Sequence, residues 1–377
     1  MLIRENLANA KRIVVKVGTS TLTYTDGKLN IERIEKLVQE LADIAKDGKE
    51  IILVTSGAVS VGVEKLGLKE RPKTIPEKQA AAAVGQGILM HIYEKLFDEY
   101  EQIVAQVLLT KADSVSSKGY INSRNALLTL LNQKVIPIIN ENDVISIDEL
   151  KIGDNDTLSA IVASIVDAQV LVILTDVQGL YDKNPADDTE FDKATLISKV
   201  DDITLDIEML AGSNRDTRGT GGMYTKIQAA KIAVNSGVTM VIASGGNPGN
   251  IKEVLLGKEI GTVFAPKKNL TDRKKRLIYE SKTEGKIIVD KGCEKAIVHS
   301  GSSLLAKGIT GVEGAFEQGD VIKIISQEGR ELARGICNYN SDDVDRIKGV
   351  HTDEIANIIG TKQYNEVIHR DNLVLIV

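Results

Sequence analysis

The stretch Ile13-Val14-Val15-Lys16-Val17-Gly18-Thr19-Ser20 is an apolar run that contains one lysine and ends in a glycine turn. Four further apolar runs follow within the first 265 residues, and each is bounded by Gly, Ser, Asn or Asp. They cover residues 51–54, 136–139, 170–174 and 238–242. Continuous apolar runs are typical of strands that are covered on both faces. The runs therefore predict an α/β fold in which helices sandwich a mainly parallel open sheet.

Stretches with helical periodicity separate these runs. Residues 31–45 have apolar side chains at 31, 34, 37, 38, 41, 44 and 45, the spacing of an amphipathic helix. Residues 157–166 and 223–234 are also predicted to be helical, because each follows Gly, Asp or Asn residues that can cap a helix.

Length and composition exclude several classes of protein. The chain has 377 residues, which allows two or three domains of roughly 100–200 residues each. It carries 47 Lys+Arg against 53 Asp+Glu, a net charge of −6, so it has no overall basic field for nucleic acid or an anionic membrane. Aromatic residues make up 3% and Trp is absent, which argues against recognition by stacking on bases or sugars.

The sequence also indicates where the protein works. The N-terminal residues lack the apolar run of a signal peptide, and no stretch approaches the roughly 20 apolar residues of a membrane span. We therefore expect a soluble, cytoplasmic protein with no membrane association. Cys293 and Cys337 lack ligand-like spacing to histidine, so we expect two reduced thiols rather than a disulfide or a zinc site.

The character of the sequence changes near residue 265. Residues 266–276 are polar and include six basic residues, which favours a solvated linker or an exposed helix start. Short alternating stretches with Gly-rich turns follow, and they predict a small barrel-like β domain. The predicted strands are residues 285–289, 294–298, 319–324 and 331–336.

In an open parallel sheet, ligands bind beyond the carboxyl ends of the strands, so the turns after the apolar runs are candidate sites. Lys16 to Ser20 combines a lysine with a turn whose N–H groups can approach an anion. Thr55 to Ser60 is either a close-packed helix start or a main-chain site for a carboxylate or phosphate.

Two turns rich in acidic and amide residues are more specific signals of a functional site. Asn140-Glu141-Asn142-Asp143 follows one run, and Gly153-Asp154-Asn155-Asp156 precedes the next predicted helix. Helix capping needs one such residue, so this number indicates a site. Carboxylates gathered there require a cation, which could be an ammonium group, a lysine or Mg²⁺.

Another pair of segments indicates phosphate binding. Thr175-Asp176 follows a buried run, and the glycine-rich stretch from Gly219 ends in Lys226 ahead of a helix. Neither a Walker A loop nor a Rossmann fingerprint occurs. His91, the one histidine of the α/β part, is expected on a helix surface, which suits a nucleophile that needs no base, such as an ionised carboxylate.

Together and in order, six motifs resemble the amino-acid kinase superfamily and, within it, the glutamate 5-kinase family. They are VKVGTS at 15–20, VTSGA at 54–58, INEND at 139–143, KIGDND at 151–156, LTDVQGLY at 174–181 and GTGGM at 219–223. The segment GSSLLAKGI at 301–309 is similar to the PUA domain of many such kinases. The resemblance implies an amino-acid kinase domain over 1–265, a linker over 266–283, a PUA domain over 284–362 and a C-terminal tail over 363–377.

The resemblance implies ATP-dependent phosphorylation of the side-chain carboxylate of L-glutamate, the first step towards proline, with ATP and Mg²⁺ as cofactors. Lys16 and Lys226 would hold the ATP phosphates, and Asp156 would orient these lysines. The glutamate site would comprise Ser56, Gly57, Ala58, Asp143, Asp154 and Asn155. The nucleotide site would comprise Lys16, Gly18, Thr19, Ser20, Thr175, Asp176, Thr220, Gly221, Gly222, Met223, Tyr224, Thr225 and Lys226. The magnesium ligands are not identified.

Further partners follow from the same resemblance: L-proline as feedback inhibitor, a homo-oligomeric assembly, and a glutamyl phosphate reductase that consumes the product. Sister kinases that act on aspartate, N-acetylglutamate, carbamate or UMP are alternatives, but the PUA-like segment and KIGDND favour glutamate. RNA binding through the PUA segment is a different alternative. Residues 284–360 hold nine Lys+Arg and thirteen Asp+Glu, a net charge of −4, which disfavours it.

Overall fold

The computed structural model describes residues 2–24, 27–110, 117–145, 155–183, 193–211, 222–266, 283, 285–360 and 364–376. The chain divides into two compact units. The larger lies within residues 1–115 and 123–268, and the smaller within residues 116–122 and 269–377. Among the described residues, no helix is both long and apolar enough to cross a membrane.

The described part of the larger unit builds an eight-stranded sheet in the order β3-β4-β2-β1-β5-β7-β8-β6. The strands are β1 Arg12–Val17, β2 Glu50–Val54, β3 Val104–Leu109, β4 Ile136–Glu141, β5 Val170–Thr175, β6 Lys199–Val200, β7 Thr239–Ser244 and β8 Thr262–Phe264. Neighbouring strands are parallel except for the antiparallel pair β7 and β8. This confirms the predicted α/β class with a mainly parallel sheet, and all five apolar runs form strands of it.

Helices connect the strands, as the periodicity predicts. They are α1 Leu2–Leu7, α2 Thr19–Leu22, α3 Ile31–Lys46, α4 Ala58–Lys65, α5 Ile75–Asp98, α6 Ser117–Asn132, α7 Asn155–Ile165, α8 Leu205–Leu210, α9 Met223–Asn235 and α10 Asn250–Leu255. In α3, Asn30 caps the N-terminus by accepting a hydrogen bond from the Arg33 N–H at 3.0 Å. Six apolar side chains of α3 are buried in the same core as Ile13 and Val15 of β1, which have no exposed surface, whereas Ile31 at the start of the helix is exposed.

Helices α4 and α5 cross at a backbone contact that admits no side chain. A Cβ atom on Gly62 would lie 1.8 Å from the carbonyl oxygen of Ala81, and one on Gly85 would lie 1.8 Å from the carbonyl oxygen of Ala58. The turn before α4 is therefore held directly against the middle of α5.

The smaller unit contains a separate sheet of five described strands in the order β10-β9-β11-β12-β13. They are β9 Gly285–Val289, β10 Ile309–Glu313, β11 Val321–Ser326, β12 Glu331–Ile336 and β13 Leu373–Leu375. Strands β9 and β11 pair in parallel, and the other pairs are antiparallel. Helices α11 Lys291–Ser300, α12 Ser341–Ile347 and α13 Ile355–Ile359 also lie in this unit.

The strand predicted at residues 294–298 is wrong, because this stretch lies within α11. Asp290 caps the helix by accepting a hydrogen bond from the Cys293 N–H at 2.7 Å, and Gly301 ends it in the left-handed conformation at φ 57°. Five residues of mixed apolar and charged type fit the periodicity of a strand as well as that of a helix. The capping residues on both sides favour the helix.

Both cysteines of the chain are free thiols in the smaller unit. Burial, together with the nearby carboxylate of Asp290, raises the pKa of Cys293 to about 12. Burial also raises the pKa of Cys337 to about 12. Both side chains are therefore protonated and unreactive at neutral pH, in agreement with the expected reduced thiols.

The helix crossing predicts that alanine substitutions at two glycines of α5 change the unfolding free energy in opposite directions. Gly85→Ala inserts a methyl group into backbone and should lower the unfolding free energy by about 1–3 kcal/mol. Gly87→Ala is the matched control, because nothing lies within 4 Å of a Cβ there, and it should stabilise the helix by about 1 kcal/mol. Thermal unfolding followed by circular dichroism measures both, and equal melting temperatures would contradict the crossing.

Candidate functional site

Lys16 is a buried cation near the carboxyl end of β1, the strand between β2 and β5. Its side chain is 2% exposed, and its ammonium lies 2.7 Å from Oδ1 of Asp156. The turn after the strand stays close to this ammonium, because a Cβ on Gly18 would lie 3.5 Å from Nζ. A glycine here keeps the space beside the lysine open to a ligand.

Asp156 connects Lys16 to a second buried lysine. It lies in the first turn of α7 and is fully buried, and its Oδ2 is 3.2 Å from Nζ of Lys226 on α9. The same oxygen accepts a hydrogen bond from Oγ1 of Thr225 at 2.9 Å. One carboxylate therefore holds two ammonium groups, and this ion triad of Lys16, Asp156 and Lys226 has a formal charge of +1.

The charges around Asp156 determine its protonation. Burial acts to raise the pKa of this carboxyl, but the ammonium groups of Lys16 and Lys226 and the hydrogen bond from Thr225 outweigh it and hold the pKa below its usual value. Asp156 is therefore ionised at neutral pH, as two buried cations require.

The start of α9 lies beside the triad. Gly222 is the N-cap in extended conformation, and its carbonyl oxygen lies 2.8 Å from Oγ1 of Thr225, so it shares the single hydroxyl proton of Thr225 with Asp156. Tyr224 is exposed, and Met223 is half-buried. The N-terminus of a helix favours an anion, so this end of α9 and the triad attract the same kind of ligand. The predicted nucleotide residues Thr220 and Gly221 lie outside the described residues.

A second cluster of neutral polar groups centres on Asn155, the residue before Asp156. Its Nδ2 lies 2.6 Å from the carbonyl oxygen of Thr55, 2.8 Å from Oγ of Ser56 and 2.9 Å from Oδ1 of Asn140. Its Oδ1 is buried and has no hydrogen-bond partner among the described residues. The cluster therefore has an acceptor that a ligand can use.

The turn between β2 and α4 forms one wall of this cluster. Gly57 has φ 102°, a conformation that L-residues rarely adopt, and α4 begins at the buried Ala58. The structure shows the close-packed helix start, and Ser56 of the same turn belongs to the polar cluster, whereas the main-chain site for a carboxylate or phosphate stays a prediction.

Sequence reasoning missed Gln86 and undervalued Asn140. Nδ2 of Asn140 donates a hydrogen bond to Oε1 of Gln86 at 2.8 Å. Gln86 lies in the interior of α5, where a glutamine is typical of a solvent-facing position, so its spacing gives no signal. Only the crossing of α4 and α5 brings it to the end of β4.

Asp143 follows β4 and is half-buried. Burial and the nearby carboxylate of Glu141 raise its pKa to about 6. A carboxyl whose charge is disfavoured in this way gains from a cationic ligand, as the sequence argument on clustered carboxylates expects. Asp154, the remaining predicted glutamate residue, lies outside the described residues.

The other predicted nucleotide residues lie at the ends of β1 and β5. Thr19 and Ser20 begin the short helix α2, and Ser20 is exposed. Oγ1 of the buried Thr175 donates to Oδ1 of the exposed Asp176 at 2.9 Å. Strands β1 and β5 are adjacent and parallel, so the two turns lie at the same edge of the sheet.

The arrangement suits a reaction whose nucleophile is already ionised and needs no histidine as general base. His91 is exposed on α5, as expected. Among the described residues, no group of three or more His, Cys, Asp or Glu side chains could hold a metal ion. The site offers two fixed ammonium groups for phosphate oxygens, and next to them a polar cluster with the hydrogen-bonding chemistry of an amino-acid head group.

Comparisons with known proteins agree with these features. Residues 11–244 match the model of the amino acid kinase family, and residues 285–359 match the PUA domain. Glutamate 5-kinase of Moorella thermoacetica is 51% identical over 371 residues, which cover 98% of this chain and 97% of that protein. Glutamate 5-kinase of Thermoanaerobacter sp. (strain X514) is 51% identical over 366 residues, covering 97% and 98%. Glutamate 5-kinase of Carboxydothermus hydrogenoformans is 48% identical over 375 residues, covering 99% and 100%.

Proposed function

The chain belongs to the amino acid kinase family and, within it, to the glutamate 5-kinases, and we propose that it transfers the γ-phosphoryl group of ATP to the side-chain carboxylate of L-glutamate. The ion triad is the observation that supports this reaction most directly. The product, L-glutamyl 5-phosphate, is the first intermediate of proline biosynthesis.

The two lysines would counter the main electrostatic obstacle. The glutamate carboxylate and the ATP γ-phosphate are both anions, and negative charge moves towards ADP as the phosphoryl group transfers in line. Lys16 and Lys226 would contact the phosphate oxygens and stabilise this charge, and Asp156 would keep both ammonium groups in place. No general base is needed, since the glutamate side chain is ionised at neutral pH.

The neutral cluster would bind the amino acid. Asn155 and Asp143 would take the head group of glutamate, with the carboxylate of Asp143 facing the ammonium. Ser56 and the main chain of Gly57 and Ala58 at the start of α4 would meet a carboxylate. Asp154 lies outside the described residues, and we propose from the sequence that it belongs to the same glutamate site.

The nucleotide would lie at the ends of β1 and β5 and the start of α9. Its triphosphate would contact Lys16, the turn of Gly18, Thr19 and Ser20, and residues 220–226, with Thr175 and Asp176 beside the nucleoside. Mg²⁺ would enter with the ATP phosphates and supply further positive charge. The nearest buried carboxylate, Asp156, is already paired with two lysines, which fits a magnesium ion with few direct protein ligands.

The remaining expectations concern partners and organisation. An acyl phosphate hydrolyses readily, so a glutamyl phosphate reductase that consumes it is the proposed partner. Feedback inhibition by L-proline, a homo-oligomer and a cytoplasmic location are proposed with it. We also propose the domain division at 1–265, 266–283, 284–362 and 363–377, and the family matches at 11–244 and 285–359 support its two main parts.

A trapping assay tests the reaction. With ATP, Mg²⁺ and hydroxylamine, L-glutamate should give a hydroxamate and ADP in equal amounts, whereas aspartate, N-acetylglutamate and UMP should give neither above background. Added L-proline should lower the rate. Hydroxamate or ADP formation with another of these substrates, and none with glutamate, would contradict the proposal.

The pKa of Asp143 predicts how activity depends on pH. Because this pKa is raised to about 6, the carboxyl becomes neutral below that pH and no longer pairs with the substrate ammonium. At saturating ATP, kcat/KM for glutamate should therefore fall about tenfold from pH 7 to pH 5. Asp143→Asn should have a low kcat/KM at both pH values. Since ATP titrates equally in both enzymes, identical pH profiles would exclude Asp143 as the cause.

A further inference from the structure

The amide of Gln86 has a defined orientation, which a chain of hydrogen bonds sets. Oδ1 of Asn140 accepts from the backbone N–H of Glu141 at 2.9 Å, and a backbone N–H can only donate. Nδ2 of Asn140 is therefore the group that faces Gln86, and it donates to Oε1 at 2.8 Å. The Nε2 of Gln86 consequently points away from Asn140.

This orientation turns a buried donor of Gln86 away from Asn140. Nε2 of Gln86 has no hydrogen-bond partner among the described residues, although the atom is buried. Asn155 is oriented by the same logic, because its Nδ2 donates to the carbonyl oxygen of Thr55, and its Oδ1 finds no partner in the part of the chain that the structure describes. Asn155 is only 9% exposed. Buried polar atoms are rarely left unpaired in folded proteins, so this pair indicates a ligand.

This donor and this acceptor, which lack partners among the described residues, lie on the two sides of Asn140. Asn140 bonds to Asn155 at 2.9 Å on one side and to Gln86 at 2.8 Å on the other. An α-amino acid carries an ammonium donor and a carboxylate acceptor on one carbon atom, which matches such a pair of groups. Asp143, three residues after Asn140, adds the negative charge that an ammonium requires.

The position of the ion triad decides which carboxylate of glutamate Gln86 would meet. Asn155 and Asp156 are consecutive, and Asp156 holds Lys16 and Lys226 whereas Asn155 leads through Asn140 to Gln86. The reacting side-chain carboxylate must reach the lysines. The end of the substrate at Gln86 is therefore the α-carboxylate.

We propose that Gln86 is a substrate-binding residue whose Nε2 donates a hydrogen bond to the α-carboxylate of the amino acid and so selects for it. The role rests on the proposed glutamate kinase activity. Gly85, whose added Cβ would lie 1.8 Å from the carbonyl oxygen of Ala58, fixes the backbone next to Gln86 and keeps its amide in register with Asn140.

A specificity swap tests this role. Gln86→Glu keeps an acceptor for Asn140 but replaces the donor with a negative charge, which repels an α-carboxylate and accepts from an α-amide. Isoglutamine, the α-amide of glutamate, has the same reacting carboxylate. Relative to the wild type, the ratio of kcat/KM for glutamate to that for isoglutamine should fall at least about tenfold in Gln86→Glu.

The readout separates recognition from a merely structural role. If Gln86 only supports Asn140, both substrates lose activity in parallel and the ratio stays at the wild-type value, which would overturn the inference. Gln86→Met, which removes the donor without adding charge, should lower the ratio less, and it serves as the test if Gln86→Glu does not fold. An unchanged ratio in Gln86→Met would overturn the inference equally.

Two controls complete the experiment. Gln79→Glu places the same charge two helical turns earlier on α5 and should leave the ratio unchanged. Wild-type protein that forms no hydroxamate from glutamate would overturn the proposed function, and the role of Gln86 with it. Wild-type activity combined with an unchanged ratio in Gln86→Glu would overturn only the role of Gln86.

Discussion

One buried carboxylate organises the site. Asp156 is fully buried, and it contacts lysines that lie 140 residues before it and 70 residues after it in the chain. Isolated buried charges cost on the order of several kcal/mol each, so Lys16 and Lys226 can be buried only where this carboxylate meets them. The ion triad thereby ties β1, α7 and α9 to one arrangement. Its formal charge of +1 suits the proposed binding of phosphate.

In the proposed site, two consecutive residues at the start of α7 would serve two different ligands. Asp156 faces the lysines, and Asn155 faces Ser56 and Asn140. The N-terminal turn of an 11-residue helix favours the negative charge of Asp156. Because both side chains leave the same helical turn, the proposed phosphate side and the proposed amino-acid side would be held at a fixed separation. An in-line transfer between two substrates depends on such a separation.

Local signals in the sequence identify much of this. The five apolar runs predict the parallel strands, since strands covered on both faces leave little polar surface. Lys16, Asp156 and Lys226 lie in motifs at strand ends and helix starts, and the resemblance to the amino-acid kinases implies that they act together. Local signals do not predict contacts between elements that are distant in the sequence. The glycine contacts between α4 and α5 depend on tertiary packing, which the hydrophobic periodicity of a single helix does not reveal. The same is true of the position of Gln86 in the site. The helix at 291–300 was missed because its capping residues, rather than its apolar spacing, define it.

The central claim is that two lysines fixed by one carboxylate stabilise the transferring phosphoryl group. Rapid-quench measurement of a single turnover with ATP and glutamate tests it most directly in Lys16→Ala and Lys226→Ala, each with a circular dichroism spectrum to verify folding. The exposed Lys36→Ala, whose residue pairs with Glu32 on α3, is the control. We expect each buried lysine to contribute about 10²–10³ to the rate of acyl phosphate formation, or ~2.7–4 kcal/mol. A folded variant that transfers phosphate at the rate of Lys36→Ala would contradict the claim.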